Sequence, residues 1–93
     1  MKYARIRLKG KPLAELNRRI HERDSHVCII CGGFVALGEK FHHYPQGADK
    51  NDREECGVLL CQSCHYDAHH SGRVKEIKEK VAAYLERLYG GNV

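Results

Sequence analysis

Two Cys-x-x-Cys pairs, Cys28-Ile29-Ile30-Cys31 and Cys61-Gln62-Ser63-Cys64, constrain this chain more than any other feature in it. Two thiolates can grip one zinc ion across two intervening residues only if the backbone folds back tightly. Gly32 and Gly33, directly after Cys31, permit the positive φ that such a turn needs. Together Cys28, Cys31, Cys61 and Cys64 would complete a tetrahedral, closed structural zinc site. Disulfides are the competing use of cysteine, but the count of five is odd and four of the five fall into the two pairs.

A chain of 93 residues makes one domain. A globule of this size buries only about 60–65% of the surface its unfolded chain exposes, so its core is a marginal source of stability. Apparent zinc-binding energies of about 10–16 kcal/mol, seen in small peptides, would offset that. No apolar run approaches the ~20 residues of a membrane span, and Lys2, Arg5 and Arg7 interrupt any signal-peptide core. The expectation is a soluble, cytoplasmic protein with no membrane contact.

The formal net charge of +4 is unevenly spread. Residues 1–23 carry eight Lys/Arg against two Glu, a balance of +6, and residues 24–93 carry eight against ten, a balance of −2. A concentrated positive surface is the footprint of a polyanion partner, with nucleic acid the default, and Lys2, Arg5, Arg7, Arg18 and Arg19 are the candidate contacts. A solvated charged face is the plainer alternative.

From Tyr3 to Lys9 apolar and basic residues alternate, which predicts a short strand or extended arm. Pro12 suits the first turn of a helix. Leu13, Leu16 and Ile20 then make one apolar stripe under a face carrying Arg18, Arg19 and Arg23, predicting a helix over 13–23. Leu37 to Tyr44 and Gly57 to Leu60 read as strands separated by a polar surface loop from Pro45 to Glu55. They should pair antiparallel, because the zinc ties the start of the first to the end of the second. A helix from Gln62 to about Gly72 carries His65 and His69. A last helix, Val74 to Tyr89, has Val74, Ile77, Val81, Tyr84, Leu85 and Leu88 on one face and Gly90 as its stop signal. That face is a core or partner-packing surface, and a homodimer through this helix is one expectation.

His65 and His69 are one helical turn apart, so both imidazoles project from one face and can chelate one ion. On a strand, His42 and His43 point to opposite faces unless the strand bends, so one can join the helix pair while its neighbour faces the substrate side. His70 points about 140° away from His65 and should be exposed. His21 and His26 read as ordinary solvated or satisfied core residues.

Two histidines ending a first strand, then a loop, a second strand and a histidine-bearing helix, resemble the ββα-metal motif of the HNH endonucleases. Flanking Cys-x-x-Cys pairs, Arg23-Asp24 ahead of Cys28 and the run LLCQSCH resemble the zinc-supported HNH proteins of bacteria and their phages or prophages. The resemblance covers roughly residues 20–72. It implies an α+β fold: a small ββα-metal (His-Me finger) domain with a four-cysteine zinc ribbon, flanked by an N-terminal and a C-terminal helix. The single domain 1–93 would divide into a basic arm and helix (1–23), the zinc knuckles and ββα-metal core (24–72) and the C-terminal helix (73–90).

What the resemblance implies chemically is a metal-dependent endonuclease or nickase acting on DNA. His43 matches the general base, His42 and His69 match metal ligands, and His65 matches the second helix ligand of the colicin-type nucleases. The catalytic ion, distinct from the structural zinc, would be Mn²⁺, Mg²⁺, Ni²⁺, Co²⁺ or Zn²⁺, an all-imidazole set suiting a transition metal better than Mg²⁺. Where the family has its asparagine, five residues before Cys61, this chain has Cys56, and Asn51 is farther upstream. In relatives that asparagine binds the metal or holds the loop bearing the catalytic histidine. Its loss leaves the ligand set intact if His65 binds, and bears on positioning. Cys56 itself reads as a buried small hydrophobe before a ligand. Two further readings stay open: a zinc-ribbon module that binds nucleic acid without cutting it, and a protein-interaction module built on the last helix.

Overall fold

The computed structural model describes residues 7–44 and 52–90. The expected arm over Tyr3 to Lys9 therefore lies mostly outside the described residues, as do Lys2, Arg5, Asn51 and most of the polar loop. Three helices, α1 (Lys11–Arg23), α2 (Gln62–His70) and α3 (Val74–Tyr89), surround a two-stranded antiparallel sheet of β1 (His42–His43) and β2 (Gly57–Val58). A 3₁₀ turn, Glu54–Cys56, leads into β2. Among the described residues no helix is long and apolar enough to cross a membrane.

Helix α1 begins with Pro12 in its first turn and buries Leu16 and Ile20 on the predicted stripe. Helix α3 buries Ile77, Val81 and Leu85 against the same core, which is where most of its apolar stripe goes. It ends on Gly90 at φ 73°, whose N–H bonds the Glu86 carbonyl at 2.7 Å, a left-handed cap. Phe41, Val58, Leu59, Leu60, Cys64 and Ala68 complete one continuous core.

Both strands are shorter than their apolar patterns predict, because side chains claim the backbone that a longer ladder would have used. Asn17 on α1 donates from Nδ2 to the carbonyls of Leu37 (3.2 Å) and Glu39 (3.3 Å) and accepts the Phe41 N–H at 2.9 Å. That holds 37–41 as a turn and leaves only His42–His43 to pair. On the other side Asp24 Oδ2 accepts the Leu59 N–H at 3.0 Å, and the Leu59 carbonyl accepts the Ile29 N–H at 3.1 Å. The sheet therefore stops at Val58, and the chain passes straight into the second knuckle.

Register is His42 opposite Val58 and His43 opposite Gly57. Gly57 has no room for a side chain: a Cβ there would lie 2.5 Å from Phe41 Cδ2 and 2.8 Å from Ile20 Cδ1. This close approach seats Phe41 and, through it, the two histidines that follow.

The helical pattern places Arg23 on the solvent face with Arg18 and Arg19, but in the structure it turns inward. Its guanidinium donates to both Asp24 oxygens (2.7 and 3.0 Å) and to the carbonyls of Glu54 and Gly57 (2.6 Å each). It also reaches the Tyr89 hydroxyl at 3.2 Å. Asp24 in turn accepts from the Tyr84 hydroxyl. Burial, with the Asp24 carboxylate beside it, pushes the Tyr84 phenol up to about 12, so it remains a donor at neutral pH. One buried ion pair thus ties α1, β2 and α3 together behind the sheet.

Candidate metal centres

The first knuckle closes through Cys28 N–H to the Gly33 carbonyl (2.7 Å) and Gly32 N–H to the Cys28 carbonyl (2.9 Å), with Gly32 at φ 80°. Only that left-handed glycine lets the chain return within two residues. In the second knuckle Cys61 is the N-cap of α2, its Sγ accepting the Cys64 N–H at 3.4 Å. The Ile30 N–H meets Cys28 Sγ at the same distance. The four sulfurs lie within 4.8 Å of one another, Cys31 and Cys61 at 3.6 Å. Zinc–sulfur bonds of about 2.3 Å would set the edges of a sulfur tetrahedron at about 3.8 Å.

Thiol chemistry points the same way. Burial pushes the Cys28 thiol up, but backbone N–H donors of the knuckles outweigh it and hold the group at about 7. The Cys64 thiol is raised, by burial first and by the neighbouring sulfurs second. Four thiols this close cannot all ionise against one another without a cation between them. The cluster is compatible with a structural metal such as zinc.

A second cluster lies one turn farther along α2. His42 from β1 meets His65 and His69 with ring centroids 5.0 and 5.4 Å away, and the helix pair are 5.0 Å apart. One nitrogen from each ring lies within 4.8 Å of the others. An ion held at about 2.0–2.1 Å by three imidazoles needs nitrogens about 3.3 Å apart, a small closure of this arrangement. His42 is buried whereas His65 and His69 are exposed, so the cluster opens to solvent along the helix side. Burial lowers the His65 pKa, the neighbouring His69 adding to the effect and Glu39 opposing it, which favours the neutral imidazole that a metal requires.

Strand alternation sends His43 the other way. Its ring lies 4.8 Å from that of Phe41, and its Nε2–H donates to Asp52 Oδ1 at 2.8 Å. Asp52 is 4% exposed and also accepts the Leu8 N–H at 2.6 Å and Arg7 Nε at 3.3 Å. Burial alone would raise its carboxyl pKa; the His43, Leu8 and Arg7 donors outweigh that and hold it below the ordinary value. Asp52 stands where the sequence suggested a polar surface loop. Its role was invisible there because an aspartate nine residues after a histidine, across an irregular loop, carries no periodic signal.

Cys56 is half-buried and belongs to neither cluster. Its carbonyl accepts the Tyr44 N–H at 2.9 Å, and burial pushes its thiol up, as suits a small apolar filler. His21 is a core residue satisfied on one side only: its Nε2–H donates to the Glu39 carbonyl at 2.7 Å, while its buried Nδ1 has no hydrogen-bond partner among the described residues. His70 is exposed on α2 as expected. Of the basic candidates, Arg7 pairs with Asp52, Arg18 with Glu15 and Glu22, and Arg19 with Glu54. No protein-family model, curated protein or solved structure matches the chain.

Proposed function

We propose that this chain is a metal-dependent endonuclease or nickase of the HNH kind, hydrolysing phosphodiester bonds of DNA. One observation carries the reading: the imidazoles of His42, His65 and His69 converge in an open three-ligand cluster, while the next residue in the chain, His43, is fixed by a buried carboxylate. Three ligands and an open side are what a catalytic site has and a closed structural site lacks.

A divalent ion on the three imidazoles would supply Lewis acidity toward a phosphate oxygen and the leaving 3′ oxygen. His42, set by the β1 register against Val58, and His65 and His69, set by α2, would hold it. His43 would take a proton from the attacking water as general base. Asp52 would fix the ring and stabilise the imidazolium that forms, the role a carboxylate plays behind a catalytic histidine. The positioning that the asparagine gives in the HNH nucleases would come here from Asp52, which bonds His43 Nε2 at 2.8 Å. Arg18 and Arg19, on the exposed face of α1, would meet the phosphate backbone by exchanging their surface glutamate partners, with salt-sensitive binding and weak base preference, whereas Arg7 is engaged by Asp52. One such site cuts one strand, so a double-strand break requires two copies or two events.

The test is supercoiled plasmid incubated with Mn²⁺, Mg²⁺, Ni²⁺ or EDTA, with His43→Ala beside the wild type. The wild type should give open-circular product only with a metal, and His43→Ala should be slower by about 10²–10⁴-fold. If neither cuts with any ion while both retard DNA in a gel, the domain binds nucleic acid without hydrolysing it.

A further inference from the structure

Helix α2 carries two parallel pairs of rings. Cys64 and Ala68 face the core, and at 100° per residue His65 and His69 lie to one side of that line. Tyr66 and His70 come one residue later, roughly opposite the core. Their rings lie 4.8 Å apart at 39°, Tyr66 is 63% exposed, and the His70 ring is 5.9 Å from that of the metal-cluster residue His69. An exposed ring pair therefore continues the helix surface from the three-histidine cluster, joined to it through the His69–His70 ring contact.

Charge says what can sit across them. Three neutral imidazoles would add no negative charge to a bound divalent ion; the Glu39 carboxylate that acts on His65 is engaged by Gln62 Nε2 at 3.2 Å, and Asp67 of α2 by Arg73 at 3.3 Å. The surface beside the rings thus attracts a phosphate. A phosphate held at the cluster carries its own base within one nucleotide step, within reach of a ring pair beginning at the neighbouring residue.

We propose that Tyr66 and His70 form a stacking platform for an unpaired nucleobase flanking the phosphate held at the histidine cluster, so that the favoured substrate is single-stranded or locally unpaired nucleic acid. This rests on the nuclease reading and narrows it. A base in a continuous duplex has both faces covered by its neighbours, whereas an unpaired base offers a free face to an aromatic ring. Stacking of this kind is tolerant of sequence, so the platform selects for an unpaired base rather than for a particular one.

Binding is read in the His43→Ala background, so that the result does not depend on cleavage. A fluorescent single-stranded oligonucleotide and a blunt hairpin duplex of equal length are titrated at fixed salt with Mn²⁺. The protein should prefer the single strand, Tyr66→Ala should weaken single-strand binding by about 10-fold with little change on the duplex, and Tyr66→Phe should restore it. His70→Ala should have a smaller effect of the same kind, and circular dichroism checks that each variant is folded. Unchanged single-strand affinity in Tyr66→Ala overturns the platform, as does an equal loss on both forms. Plasmid nicking by a Tyr66→Ala protein that retains His43, together with either result, leaves the nuclease reading standing without it. Absence of binding to any oligonucleotide removes both.

Discussion

The four-cysteine cluster and the three-histidine cluster are built on the same helix and differ in nearly everything else. The cysteines come from two turns far apart in sequence, Cys28 and Cys64 are buried, and backbone N–H groups already point at the sulfurs. The histidines come from one strand residue and one helix face, and two of the three are exposed. Cys61 caps α2, Cys64 lies in its first turn, and His65 follows immediately. The four-cysteine cluster therefore sits at the start of the helix, and the three-histidine cluster uses the next turn. The contrast teaches that rigidity and access are divided between neighbouring residues of one short element.

The largest effect should come from breaking the closed site. Cys28→Ser removes a buried ligand from a cluster whose metal would contribute about 10–16 kcal/mol, comparable to the whole stability of a small domain. It should be unfolded at 25 °C by circular dichroism and lose both metals. A Cys28→Ser protein that melts like the wild type would erase the distinction between the clusters.

Gly57→Ala should hurt the open side alone. Its Cβ would collide with Phe41 and Ile20, and overpacking of this kind costs about 1–3 kcal/mol. The denaturation midpoint should fall and nicking should slow, while one zinc per chain is retained. Full nicking activity at a lowered midpoint would show that Phe41 does not seat the histidines.

Asp52→Asn sharpens the comparison through pH. The folded carboxyl lies below its unfolded value, so its stabilisation is fully present above the ordinary aspartate pKa of about 3.9 and is lost as pH falls through the folded value. Replacing it should cost on the order of 1–3 kcal/mol at neutral pH and flatten the acid limb of a stability-against-pH curve. Cleavage should drop with metal affinity unchanged. An unaltered acid limb would mean that Asp52 is not ionised against His43 and Arg7.

Much of this was legible in the sequence, and the reasons are specific. Helix α3 matched its predicted bounds because a sustained stripe and a terminal glycine both report local geometry. The two groups of converging candidate ligands were legible because Cys-x-x-Cys and His-x-x-x-His are short-range spacings fixed by turns and helical pitch. The strands were overextended because Asn17 and Asp24, each distant in sequence from the backbone it captures, leave no mark on an alternation pattern. Arg23 looked like a solvent-facing base on a helical wheel and is a buried link, since partners 31 to 66 residues away decide its direction. Asp52 escaped for the same reason. Local chemistry was readable, and long-range hydrogen bonding was not.

If one helix serves two metal sites of unlike kind, the metal content of the protein must fall in two separable steps. Wild-type protein and His69→Ala, each loaded with Zn²⁺ and Mn²⁺ and then dialysed against a mild chelator, are analysed by mass spectrometry of the metals before and after dialysis. Wild type should hold one zinc that survives dialysis and one ion that exchanges. The variant should keep the first, lose the second and melt within about 1 kcal/mol of the wild type. A His69→Ala protein that still binds two ions, or that loses both together, would contradict the account.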